Sequence, residues 1–437
     1  MPPRTTTLTG ETPMARSTLA ASLALALVAT GGTVLTWSAS AAANPSEPLA
    51  PLQAAGADAV DGRYVVVLKK PARSGATASA HRALAGPVTT AREAGGTVRR
   101  SYTETLHGFS ADLSDAALDE VRRDPAVAYV QPVRVHRQEA APTASRPAPP
   151  ATQQRAPWHL DRIDQRKLPL NTRYSPTGDA SGVPVYVLDS GIRASHKEFE
   201  GRASGVYSAI KDGNGTKDCA GHGTFVASHI AGRTYGVAKK AKIRAVRILG
   251  CDNSATTEEI LDGMNWTTKN APASSVVNMS IQSSDGIADR AMDDAAKAMV
   301  DKGLLVVFIA GNFGKGDCQN SPKDPRAITM GATNKTDARN TGANPSSYGS
   351  CVTAFAPGAG VSGAGEGSDT EVLKGWNGTS FAAPLAAGTL AVAKRDNPDL
   401  TMAEAKKLIT STATRGVLKN IGKGSPNRLL YAGPAGR

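Results

Sequence analysis

An α/β domain with a doubly wound, mostly parallel sheet, preceded by a small α+β unit, is the fold that the sequence predicts. Three observations carry that reading. From Ala156 onward, nearly continuous apolar runs alternate with helical stretches, as expected of strands buried on both faces. Ahead of them, a compact stretch shows strands and helices in the order β-α-β-β-α-β. Two Pro/Ala-rich stretches, Asn44 to Asp61 and Gln138 to Gln154, punctuate the chain as exposed linkers do.

The N-terminus reads as an export leader. Arg4 and Arg16 precede an apolar stretch from Ser17 to Trp37, and SASAAA follows with small residues suited to cleavage after Ala41 or Ala43. Residues 1–43 are expected to be a signal peptide starting at Met1 or Met14, the mature protein to be secreted, and no stable membrane insertion to follow. The 437 residues are 40% hydrophobic and 20% charged, which suits a globular protein of two or three domains. A formal charge of +12 raises the question of nucleic acid. The Lys and Arg residues are scattered, however, and aromatics are only 5%, so no nucleic-acid partner is expected.

In the small unit, residues 62–137, RYVVVLKK (Arg63 to Lys70), a stretch near 97–103, HGFSADL (His107 to Leu113) and VAYV (Val127 to Val130) read as strands. Helices are expected near 77–95 and over DAALDEVRR, where Ser114 caps the start and Pro125 the end. The order is that of a ferredoxin-like fold. Residues 138–155 read as a linker and 156–437 as the large domain, with VPVYVL (Val183 to Leu188), KIRAVRIL (Lys242 to Leu249), SVVNMSI (Ser275 to Ile281) and LLVVFIA (Leu304 to Ala310) as its main strands.

Chemistry gathers at the strand ends of that domain, where open α/β sheets hold their ligands. Asp189 directly follows VPVYVL. His222 sits between Gly221 and Gly223 at the start of a small-residue helix, and Asn312 lies in the turn after LLVVFIA. Ser380 opens the helix SFAAPLAAGTLAVAK, where its N–H is unpaired at the positive end of the dipole. Taken singly, each of these is an ordinary turn or cap residue. Together they supply what acyl transfer needs: a hydroxyl nucleophile, an imidazole to take its proton, a carboxylate to orient the imidazole, and amide donors for the oxyanion. His229 lies seven residues beyond His222, which is not a zinc spacing, and no metal ligand set is assigned.

The segments VYVLDSGI, GHGTFVASHIAG, VVNMSI, IAGN and NGTSFAAP resemble the signatures of the subtilisin-like serine proteases, and more closely the secreted proteinase K and aqualysin branch. The likeness runs from Trp158 to Tyr431, and residues 62–135 resemble the family's inhibitory propeptide. The resemblance implies a secreted serine endopeptidase with Asp189, His222 and Ser380 as triad and Asn312 as oxyanion donor. It implies that Ser280, Ile281 and Gln282 form an edge strand that binds substrate backbone, and that Ile309, Ala310 and Gly311 wall the pocket for the residue before the cleaved bond. The implied partners are protein and peptide substrates and the chain's own propeptide, acting as chaperone and inhibitor of a monomer. Its tail would lie along the Ser280 strand, with later trimming up to about Ala156.

No cofactor is implied for catalysis. A structural calcium site is implied at Asp161, Asp164 and Gln165, although Arg173 departs from its pattern. Four cysteines in an exported chain favour two disulfides, and by themselves allow three pairings. The resemblance selects Cys219 with Cys251 and Cys318 with Cys351. Two rival functions share these residues: a catalytically silent binding protein, and a serine esterase, which would lack activity on long peptides.

Overall fold

The computed structural model describes residues 48–70, 77–137, 152–284, 286–316 and 320–433. The expected leader, Cys318 and most of the 138–155 linker lie outside the described residues.

The small unit comprises β1 (Ala59–Leu68), α1 (Thr77–Glu93), β2 (Thr97–Tyr102), β3 (Gly108–Asp112), α2 (Asp115–Arg123) and β4 (Val127–Arg137). Its strands are antiparallel in the order β4-β1-β3-β2, the ferredoxin-like arrangement. Ser114 caps α2 through the Ala117 N–H, and Leu118 and Val121 pack under it with Val66, Phe109 and Val130.

The large domain continues with β5 (Gln153–Gln154), α3 (Trp158–Ile163), β6 (Arg173–Tyr174), β7 (Pro184–Asp189), β8 (Ala203–Ser208), α4 (His222–Ala231) and β9 (Lys242–Arg247). Then come β10 (Ser254–Thr256), α5 (Thr257–Asn270), β11 (Val276–Met279), α6 (Arg290–Asp301), β12 (Leu305–Ile309), β13 (Ile328–Thr333) and β14 (Ala354–Pro357). The hairpin β15 (Ala359–Ala364) and β16 (Val372–Asn377) precedes α7 (Thr379–Asp396), α8 (Met402–Thr412), β17 (Thr414–Arg415) and β18 (Arg428–Leu429). Nine strands form one sheet in the order β17-β18-β14-β13-β12-β11-β7-β9-β8. All neighbours are parallel except β17 and β18. Two helix pairs, α4 with α7 and α5 with α6, cover it. Thr256 and Glu259 close a capping box on α5, which fixes where the polar β10 edge gives way to helix.

Two expectations are corrected here. First, Ser280 to Gln282 is not an edge strand. β11 ends at Met279 in the middle of the sheet, between β7 and β12, and the residues after it are buried without strand geometry. The described end of the propeptide pairs with β10: β4 runs antiparallel to it, with Val135 opposite Thr256, His136 opposite Ala255 and Arg137 opposite Ser254. The small sheet thereby becomes five-stranded across the two units. The Ser284 hydroxyl donates to the Val135 carbonyl at 2.8 Å from the 280–284 side.

Second, the large domain begins before Ala156. Gln153 and Gln154 pair with Tyr174 and Arg173. The buried Gln153 side chain donates to the Thr234 carbonyl and accepts from the Lys239 ammonium, each at 2.9 Å. Composition alone marked these glutamines as linker; burial of the amide makes them part of the domain. Burial also lowers the Lys239 pKa to about 7 against the pull of Glu198, so this amine depends on its few partners. Trimming is therefore expected to stop before Gln153. N-terminal sequencing of the mature protein should retain it, whereas a mature chain starting at Ala156 would refute this.

Candidate active site

Asp189 closes β7, and its Oδ1 accepts the Ser190 N–H at 2.8 Å and the His222 Nδ1–H at 2.7 Å. A carboxylate can only accept, so the shared proton sits on Nδ1 and His222 keeps Nε2 as its basic nitrogen. Both residues are buried, at 1% and 3% exposure, where this pair is weakly screened. Burial opposes a charged His222. The Asp189 charge and hydrogen bond outweigh it, with Asp218 adding to them, and the ring titrates above its usual range.

α4 places His222 because Gly221, at φ 83°, supplies a left-handed turn that ends the approach to the helix. Sequence reasoning missed the group that holds this turn. Asp218 accepts from the Ser190 hydroxyl (2.9 Å), the Ala220 and Gly221 N–H groups (3.0 and 2.8 Å), and the Thr224 N–H and hydroxyl (2.8 and 2.6 Å). It thus ties the residue after Asp189 to the first turn of α4. An aspartate just ahead of a helix start was the available signal.

Ser380 is the second residue of α7, buried at 2%. Its hydroxyl lies 3.4 Å from the Ser280 carbonyl, and the Ser280 hydroxyl donates to the Ser380 carbonyl at 2.9 Å. Asn312 is aimed by α7 as well. Its side-chain oxygen accepts the Thr379 N–H (2.8 Å) and hydroxyl (2.7 Å), and its own N–H donates to the Gln282 Oε1 (2.9 Å). With the oxygen engaged, the Nδ2 donors face away, beside Gly378, where an added Cβ would come within 3.4 Å of Nδ2. Of the expected pocket wall, Ile309 packs into the main core and Ala310 into a smaller cluster with Val352 and Phe355. Gly311, at φ 94°, makes the turn that leads to Asn312.

Aromatic rings surround the histidine, a feature with no motif in the sequence. Phe225 stacks on Trp376 at 4.4 Å, and Phe381 lies 5.7 Å from His222. His229 is sealed behind them, with Nδ1 bonded to the Phe225 carbonyl and burial lowering its pKa to about 4. It is a core residue. Cys219 and Cys251 form a disulfide at the edge of the His222 loop, beside the ion pair of the buried Arg247 with the exposed Asp212. The other expected bridge involves Cys318, outside the described residues; no described cysteine is free.

A serine opening a helix, a buried imidazole locked to a carboxylate, and an amide whose oxygen is engaged are the parts that serine hydrolases use. Residues 180–429 match the model of the subtilase family, and residues 63–136 match that of the peptidase inhibitor I9. The chain belongs to the subtilase family. It is 38% identical over 407 residues to an extracellular serine proteinase of Thermus sp. (strain Rt41A), covering 90% of this chain and 94% of that one. Alkaline protease 1 of Aspergillus oryzae is 35% identical over 348 residues, covering 77% and 81%. The solved structure of a cold adapted subtilisin-like serine proteinase superimposes with a TM-score of 0.59 at 37% identity, covering 64% of this chain and 99% of that chain. The protein is a serine-type endopeptidase made with an inhibitory propeptide, and its catalysis needs no cofactor.

Proposed function

We propose that Ser380 attacks the peptide carbonyl while His222 Nε2 takes its proton, Asp189 holds the imidazole, and Asn312 Nδ2 with the Ser380 N–H receives the oxyanion. The observation that carries this is the 2.7 Å bond between two buried groups, Asp189 at the end of β7 and His222 at the start of α4, the helix that packs on the Ser380-bearing α7. As the peptide C–N bond breaks, His222 gives that proton to the leaving amine, and water then hydrolyses the acyl-enzyme with His222 again moving the proton. Ala310 and Gly311 are the residues proposed to border the pocket for the side chain before the cleaved bond.

Asn312→Leu tests the oxyanion assignment. Loss of one such donor is expected to lower kcat by about 10²–10³-fold, the size known for subtilisin, a member of this family, and to leave KM nearly unchanged. A KM effect with unchanged kcat would move Asn312 out of the transition state.

The chain is proposed to be exported as a zymogen, with residues 1–43 as signal peptide, and to act as a monomer. Residues 62–137 block the site until cleavage within the 138–151 stretch. Extended peptide pairs with β10 as β4 does, which favours an endopeptidase over an esterase. Hydrolysis of casein alongside a small ester tests this, and activity on the ester alone would support the esterase.

Asp161, Asp164 and Gln165 would hold a structural calcium ion. Their hard oxygens fit one, and burial raises the Asp161 pKa despite N–H bonds from Thr172 and Asn171. An ion there would offset buried negative charge on α3 and steady the 164–175 loop. The acyl chemistry stays with the triad.

A further inference from the structure

The way β4 docks reveals more than inhibition. Its residue His136 pairs with Ala255, and its side chain enters a closed pocket where Nε2 lies 2.9 Å from the Thr257 hydroxyl and 3.6 Å from Asp289 Oδ2. All three side chains are buried, with Asp289 at 0% exposure. The Thr257 hydroxyl lies 3.2 Å from Asp289 Oδ2, so the two catalytic-domain groups form one polar floor. Asp289 also caps α6 through the Met292 N–H at 3.0 Å, which fixes the carboxylate in place.

The remaining partners of that carboxylate come largely from the propeptide. Gln131 donates to Oδ1 at 2.9 Å, and the Arg134 guanidinium lies 3.7 Å from Oδ2. Burial would raise the Asp289 pKa, yet contacts with His136, Met292 and Gln131 bring it down to about 2. When the propeptide leaves, Gln131, Arg134 and His136 leave with it. Asp289 keeps its cap and the Thr257 hydroxyl, and loses both basic groups. β10 is then free to pair with another extended chain in the same register.

We infer that Thr257 and Asp289 form the floor of a substrate subsite selective for a basic side chain, in the residue that pairs with Ala255 upstream of the cleaved bond. This rests on the endopeptidase reading above. An apolar side chain there would cover the carboxylate without pairing it, and buried charge left unpaired is costly. Lys or Arg restores the charge that Arg134 supplies in the zymogen. Discrimination through a buried polar group exceeds what pocket volume alone gives, so a preference of roughly 10–100-fold is expected.

The experiment uses the mature enzyme and fluorogenic peptides with one fixed residue before the cleaved bond. Lys, Arg, Leu or Glu is scanned through the second to sixth upstream positions. One position should show about tenfold or more higher kcat/KM for Lys than for Leu. In Asp289→Asn, which retains a capping oxygen, that gap should shrink to about twofold or less, with the Leu peptide gaining as the buried charge is removed. Absence of any such position, or a preference that survives Asp289→Asn, overturns the inference. Peptides left uncleaved by wild type as by Ser380→Ala would instead overturn the endopeptidase reading beneath it. If Asp289→Asn does not fold, the isolated propeptide is assayed as an inhibitor of wild-type enzyme. His136→Leu should weaken its Ki about tenfold or more, and an unchanged Ki refutes the subsite.

Discussion

Ser380→Ala is expected to abolish hydrolysis, lowering kcat by about 10⁶-fold, and to leave the propeptide attached to the chain. The magnitude is that known for subtilisin, of the same family, in which loss of the serine alone costs about as much as loss of the whole triad. Among the described residues the hydroxyl makes one long hydrogen bond, 3.4 Å to the Ser280 carbonyl, so its removal breaks little that holds α7 in place. The folded domain should therefore survive the change. Processing tests the same atom in a second way. β4 already lies on β10 as an extended peptide would, so the first cut is expected to be intramolecular. Expressed in a host lacking other secreted proteases, the variant should remain full length after export while wild type sheds its propeptide. Identical N-termini at identical rates would assign the cutting to another protease.

Asp189→Asn should lower kcat by about 10⁴-fold, with substrate binding largely retained. An amide can offer its NH₂ to His222 Nδ1, which favours the wrong tautomer and takes the basic nitrogen away from the serine. The pH profile should change as well. Asp189 is the main group raising the His222 pKa against burial, so its charge loss moves the acid limb of kcat/KM to lower pH. The sign follows from the base: His222 works unprotonated, and a lower pKa keeps it so further into acid. A rate loss below tenfold, or an acid limb moving upward, would contradict the role given to Asp189.

The strands that carry the site were legible because their burial on both faces leaves near-continuous apolar runs, as in VVNM and LVVFI. Asp189, His222, Asn312 and Ser380 were legible because each stands where such a run ends or a helix begins. Ser280 shows the limit. Its position beyond a strand was readable, whereas whether that strand lies at an edge depends on long-range order, here β12-β11-β7. β10 was hidden for a related reason. Three residues, Ser254 to Thr256, are too few to show a periodicity of their own and become a strand only through β4. Gln153 and Asp218 were missed because a lone amide or carboxylate looks like any loop residue until its partners are located.

The shared ladder between β4 and β10 bears on which proteins can be digested. Once β4 departs, β10 is a three-residue strand whose backbone groups await a partner. A partner must arrive extended, with its own N–H and C=O groups unspent. A compact protein has nearly all such groups committed to its own sheets and helices, and freeing a strand requires local unfolding. The enzyme thus samples its prey by looseness before it samples side chains. Denatured or frayed chains are expected to be cut faster than compact ones, with the stability of a target setting how fast it disappears.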